Sequence, residues 1–236
     1  MNILTTAFNT LLYQPLFNAL ILLYQYIPGQ DFGIAVVALT LLLRLVLSPL
    51  MAKNIKNQKA LSDMQPKIKE IQEKYEDNQE KQAKEIINLY QEKEISPFSA
   101  FVPLLIQLPI LIALFQVFQQ GLDPQSMNWL YGFVPKPGDI DYTFLGLILL
   151  SAPSTLLAAF ASVLQFFQFK MMDTSQPKTD QKGADVALAI QKQMPYFFSV
   201  FTFIFLLKLP AALALYWMAT SLFSMGQQYV LNKKYD

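Results

Sequence analysis

Long apolar runs alternate along this chain with short polar, lysine-bearing segments. From residue 33 onward, five apolar runs stand out, at about 33–52, 98–120, 142–168, 194–207 and 211–231. About 20 apolar residues cross the ~30 Å of hydrocarbon in a bilayer, so each run predicts a transmembrane helix. The third is long enough to tilt. The fourth is short, with Lys208 placed to snorkel at its end. Residues 1–30 read differently: an apolar run over 3–27 is broken by Pro15 and dotted with Asn9, Gln14, Asn18 and Gln25. That pattern predicts an amphipathic helix lying in the membrane interface, ended by the turn "PGQDFG". An extra membrane span is the competing reading. The expected organisation is an all-α integral membrane protein, with an N-terminal interfacial helix (1–30) and a five-helix core (31–236).

Segment 53–97 is the one sizeable polar piece. Leu61, Met64, Ile68, Ile71 and Tyr75 recur at helical spacing, and after "EDNQ" a second stripe runs through Ala83, Ile86, Ile87 and Tyr90. Two amphipathic helices joined by a short turn predict an antiparallel helical hairpin. Glu70–Lys74 and Glu80–Lys84 are favourably ordered pairs at i,i+4. Segment 169–193 contains "DTSQPKTDQKGAD" and reads as a flexible loop.

Lysine placement orients the chain. Segment 53–97 holds nine lysines, segment 169–193 four, and the tail Lys233 and Lys234; the opposite side has Lys136 and Lys208. By the positive-inside rule the hairpin, the 169–193 loop and the C-terminus face the cytoplasm and the N-terminus lies outside. Trp129, Tyr131 and Phe133 then read as interfacial anchors on the outer side.

Composition narrows the chemistry. The chain is 53% hydrophobic with a mean hydropathy of +0.31, too apolar for an ordinary soluble domain. A net charge of +1 argues against general nucleic-acid binding. Cysteine and histidine are both absent, which removes disulfides, thiol catalysis, an acylated lipoprotein cysteine and the commonest general base. No phosphate-binding G-x-x-x-x-G-K-[ST] loop, H-E-x-x-H or G-x-S-x-G occurs. No cofactor and no bond-making enzyme activity is expected. With no Lys or Arg before Arg44, a conventional cleavable signal peptide is not expected either, unless an upstream signal has been removed.

Arg44, the only arginine, sits near the middle of the first apolar run. A charge at that depth costs about 2.5–3.5 kcal/mol on insertion scales. All 17 acidic residues lie outside the five runs, so no intramembrane carboxylate pairs with it. Thr40 is one turn away on the same face, Gln107 lies at comparable depth, and Tyr216, Trp217, Thr220 and Ser221 add polar and aromatic groups on the last run. Together they predict a hydrated cavity with one positive charge. A packing arginine, hydrogen-bonded inside a closed bundle, is the competing reading.

At these residues the chain resembles the YidC/Oxa/Alb superfamily of membrane protein insertases. "YQPLFNALILLYQYIPGQDFGIAVVALTLLLRLVLSPL" is similar to the family's interfacial helix, turn and first core span. "MQPKIKEIQEKYEDNQEKQAKEIINLY" is similar to its cytoplasmic hairpin, "SPFSAFVPLLIQLPILIALFQVF" to its second core span and "LPAALALYWMATSLFSMGQQYVLNK" to its last. The resemblance implies five helices around a hydrophilic groove open to cytoplasm and lipid and closed outside. It gives Arg44 the place of the groove arginine, Thr40 and Gln107 polar groove positions, and Tyr216 and Trp217 the aromatic pair. Thr220 joins them as a further groove hydroxyl. Leu108 and Leu111 take the places of substrate-contacting apolar residues. It implies nascent membrane proteins as partners, with the Sec translocon and the ribosome as candidates, in a bacterial plasma membrane. The large extracytoplasmic domain of some Gram-negative members is not expected here, and with five residues after Leu231 the long basic ribosome-binding tail of some relatives is not expected either. A small-anion carrier or channel using Arg44, or a structural partner of a translocon, are the alternatives. The carrier lacks internal repeats and coupling carboxylates to support it.

Overall fold

The structure, a computed structural model, describes residues 3–93, 102–120, 124–173 and 185–235. Helix dominates. Helix α1 (Ile3–Phe8), a π-helical turn (Asn9–Tyr13) and α2 (Gln14–Tyr26) run on from one another, with Pro15 directly after the π-helical turn. The remaining helices are α3 (Phe32–Lys74), α4 (Gln79–Glu92), α5 (Val102–Gln120), α6 (Thr155–Asp173), α7 (Asp185–Leu206) and α8 (Ala211–Tyr235).

Three boundaries differ from the sequence pattern. The first apolar run and the first arm of the polar hairpin form a single 43-residue helix, α3, which continues through Pro49 and Pro66. At 1.5 Å per residue it is about 64 Å long. The third run becomes helical only at Thr155; before it, Thr143–Phe144 (β1) and Ile148–Leu149 (β2) pair antiparallel in a small hairpin. Ser154 Oγ accepts from Leu157 N–H at 3.4 Å and marks the true start of α6. The segment expected as a loop over 169–193 is helical as far as Asp173 and again from Asp185, while 174–184 lie outside the described residues.

The predicted interfacial helix also changes character. Tyr13, Leu16, Phe17, Leu20, Ile21 and Tyr24 are buried in the main core, against residues of α3 and α5. Its polar residues hold the loop around 124–141: Asn18 Nδ2 and Gln14 Nε2 donate to the Trp129 carbonyl, Asn18 Oδ1 accepts from Tyr131 N–H, and Gln25 Nε2 donates to the Pro135 carbonyl. The apolar face from Tyr13 to Tyr24 is covered by protein, while Ile3, Leu4 and Leu11 are exposed. Trp129 likewise packs edge-on against Tyr13, whereas Phe133 is exposed.

The polar segment does fold back on itself. Asn78 caps α4 by accepting from Lys81 N–H at 3.0 Å, and Met64, Ile68 and Leu89 form a small buried cluster with Ile71, Ile86 and Tyr90 around it. Leu89 takes the seam position expected of Ile87, which is exposed. Among the described residues neither Glu70–Lys74 nor Glu80–Lys84 closes as an ion pair; Lys74 lies over the Tyr75 ring instead.

Burial is distributed unevenly along the bundle. The main core draws on α2, the start of α3 (Phe32, Ala35, Val36, Leu39), the end of α5 (Ile110 to Phe118), Leu150, the start of α6 and the start of α8 (Ala211 to Tyr216). These segments share the end of the molecule that bears the loop around 124–141. Away from that end, no residue of α3 at positions 41–53 is buried. Large apolar side chains are instead exposed along the helix flanks: Leu45 and Val46 on α3, Phe160 and Val163 on α6, Phe197 and Val200 on α7.

Candidate functional site

The site starts where the core ends. Below Leu39, α3 presents Arg44 towards α5 and α8. Its Nη2 donates to Gln107 Oε1 at 2.9 Å, and Gln107 Nε2 donates to the Tyr216 hydroxyl at 2.7 Å. A guanidinium only donates, so this relay fixes the Gln107 amide: oxygen toward Arg44, nitrogen toward Tyr216. Three helices meet at three side chains. Among the described residues no carboxylate pairs with Arg44, and the side chain is only partly buried. An arginine sealed inside a closed bundle does not fit that exposure, and a guanidinium has five N–H donors, more than Gln107 can take.

The other expected residues fall into three groups. Thr40 is fully buried, and its hydroxyl turns back to the Val36 carbonyl of its own helix at 2.7 Å, so it stands apart from the relay. Thr220 and Ser221 lie one turn beyond Tyr216, buried, with hydroxyls that find no hydrogen-bond partner. Trp217 and Leu111 lean against the core, and Leu108 is half exposed on α5.

Sequence reasoning missed a second polar tie. Gln227 Nε2 donates both to the Ser48 carbonyl at 3.0 Å and to Ser48 Oγ at 2.9 Å, joining α8 to α3 one turn beyond Arg44. Ser48 lies four residues after Arg44, and Gln227 seven after Thr220, so each shares a helical face with an expected residue, but spacing does not pair the two. Pro49 and Pro109 add to the polarity here. Lacking an N–H, they leave the carbonyls of Leu45 and Leu105 without their helical partners. Helix α5 touches α3 and α8 only lightly in comparison with the long α3–α8, α6–α7 and α6–α8 packings.

Apolar flanks facing outward and two helices long and apolar enough to cross a bilayer (Ile3–Tyr26 and Phe32–Lys74) fit an α-helical membrane protein. The family described as 60Kd inner membrane protein matches residues 22–236. The chain belongs to this family, the YidC/Oxa group of membrane protein insertases. Similar proteins include the membrane protein insertase YidC of Clostridium tetani, 32% identical over 211 residues, covering 89% of this chain and 84% of that protein. The YidC of Fusobacterium nucleatum is 29% identical over 204 residues, 86% of this chain and 87% of its own. YidC 1 of Listeria monocytogenes is 31% identical over 211 residues, covering 88% of this chain but 66% of that longer protein.

Proposed function

We propose that this chain inserts other membrane proteins into a bacterial plasma membrane, through a groove bounded by α3, α5 and α8. The observation that carries the reading is the burial gradient together with Arg44. Residues of α3 are buried up to Thr40, and none is buried over 41–53, where the arginine relay sits. A cavity closed at the outer end and open below it has this distribution. Helices α3, α5, α6, α7 and α8 are the five core spans. Lysine placement puts the N-terminus outside and the hairpin on the cytoplasmic side.

In this mechanism the α3–α4 hairpin recruits a nascent protein, and the substrate's polar, acidic tail enters the groove. Arg44 attracts the tail more strongly than it would in water, because the surroundings have a low dielectric. The apolar segment that follows passes against Leu108, Leu111, Tyr216 and Trp217 and leaves sideways into lipid, where α5 packs loosely. Its burial yields roughly 25 cal/mol per Å², so the step needs no nucleotide. The chain works in this way alone or beside the Sec translocon.

The test is insertion into proteoliposomes, read by protease protection. A hydrogen bond to a charged group contributes roughly 1.5–3 kcal/mol, and 1.4 kcal/mol is tenfold in an equilibrium. Arg44→Ala is expected to reduce capture of acidic-tailed substrates about tenfold or more, with Arg44→Lys milder. Normal insertion of every such substrate by Arg44→Ala would overturn the electrostatic step.

A further inference from the structure

The β1–β2 hairpin plays no part in the groove. It spans Thr143 to Leu149, "TFLGLIL", and contains no charged residue. Leu145, Leu147 and Leu149 are exposed, Leu147 at 84%. Exposed leucines on a loop tip are ordinarily a liability in water. These are also held out rigidly. Leu145 (φ 53°) and Gly146 (φ 67°) both take left-handed backbone, and the tight turn closes through Leu147 N–H on the Phe144 carbonyl at 3.0 Å.

Two residues at the start of α3 fix the hairpin in place. Asp31 accepts from Ile34 N–H through Oδ1, capping α3, and from Leu145 N–H through Oδ2. One carboxylate thus ties the helix start to a backbone turn that a leucine rarely adopts. Gly33 is where Phe144 sits down: a Cβ at position 33 would lie 2.2 Å from Phe144 Cδ2. At the other end, Ala211 N–H and Ala212 N–H, at the start of α8, donate to the carbonyls of Ala152 and Leu150. The hairpin is a fixed part of the outer end, and its leucines project from it by construction.

We propose that this hairpin is seated in the lipid of the outer leaflet, with Leu145, Leu147 and Leu149 among the acyl chains. Its exposed leucines lead directly into the exposed flank of α6, Leu156, Phe160, Val163 and Phe167, which in an integral membrane protein faces acyl chains. Charge resumes only at Asp141, whose Oδ1 accepts from Thr143 N–H and marks the polar edge. The seated hairpin ties the start of α3, and with it the closed end of the bundle, to a set depth in the membrane. The choice of leaflet, unlike the contact with lipid, rests on the orientation proposed above.

The chain has no cysteine, so Leu147→Cys places a single environment-sensitive fluorophore on the tip. The label is compared in proteoliposomes with one at Lys136→Cys in the polar loop. Expected at position 147 are a shift of emission to shorter wavelength and loss of emission to lipids brominated on their acyl chains, with iodide in the buffer having little effect. At position 136 the two quenchers exchange roles. Iodide reaching position 147 as it reaches 136 would place the hairpin in water and overturn the proposal. Protection of 147 from both quenchers would overturn it in favour of a covering protein partner. Gly33→Ala, which pushes Phe144 away, is expected to lower the loss to brominated lipid at 147, and an unchanged loss would refute the role of the Gly33 seat. Labelling of Lys136→Cys by an impermeant maleimide on intact cells reads the orientation alone, so failure of the orientation and failure of the lipid contact are told apart.

Discussion

Gln107 is the residue on which the site turns, because it is the sole neutral group between a cation and a phenol. Replacing its amide with a carboxylate would give Arg44 the partner that no span supplies. Gln107→Glu is therefore expected to depress insertion of acidic-tailed substrates about as much as Arg44→Ala, while thermal unfolding in detergent is not lowered. Tyr216→Phe removes only the acceptor for Gln107 Nε2, which is part-buried, so the loss is expected near the low end of the ~1–3 kcal/mol that a buried unpaired donor costs. It should lower thermal stability and leave Arg44-dependent capture largely in place. The meeting of Arg44 with Gln107 and Tyr216 was partly legible, because with no carboxylate in any apolar run Arg44 was left with polar side chains such as these. Thr40 was misread because helical spacing gives a face, not a rotamer, and a threonine hydroxyl competes for its own helix carbonyl. Ser48 and Gln227, 179 residues apart, were invisible as a pair.

Among the elements, the helical hairpin was readable from its two apolar stripes, and the β hairpin was not. Residues 142–168 are apolar throughout, and hydropathy does not distinguish a strand in such a run from a helix. The discriminating signals were local: Gly146 in the turn, and Pro153 with Ser154 ahead of the helix. Pro49 and Pro66 do not end α3, since a long helix tolerates proline by giving up single hydrogen bonds. Forcing a methyl group into a packed contact costs typically 1–3 kcal/mol. Gly33→Ala should therefore lower the unfolding temperature measurably, and Phe144→Ala in the same chain should restore part of the loss. Within the α3–α4 hairpin, Leu89→Asp places a charge in the only buried cluster the two arms share among the described residues. It should separate the arms, seen as faster proteolysis at 76–79, with the unfolding temperature of the membrane-embedded helices unchanged.

For the whole molecule the governing asymmetry is a well-packed end that bears the loop around 124–141 and a less buried, lysine-rich end, the outer and inner ends on the orientation proposed above. An acidic tail crossing outward gains about 2.3 kcal/mol per charge per 100 mV of potential, negative inside. Collapsing the potential should thus slow insertion of acidic-tailed substrates more than that of neutral-tailed ones, measured side by side in energised vesicles. The long third helix gives the same asymmetry a mechanical meaning. Helix α3 is a beam clamped at Phe32–Leu39, packed along α8, propped where Gln227 meets Ser48, and extended at its far end by α4. On the function proposed above, a load on the far arm is expected to be resisted at that prop, one turn from Arg44. Gln227→Leu takes away the prop. Spin labels at positions 45 and 222 should then report a broader distance distribution, widening further when a binder is attached to the hairpin.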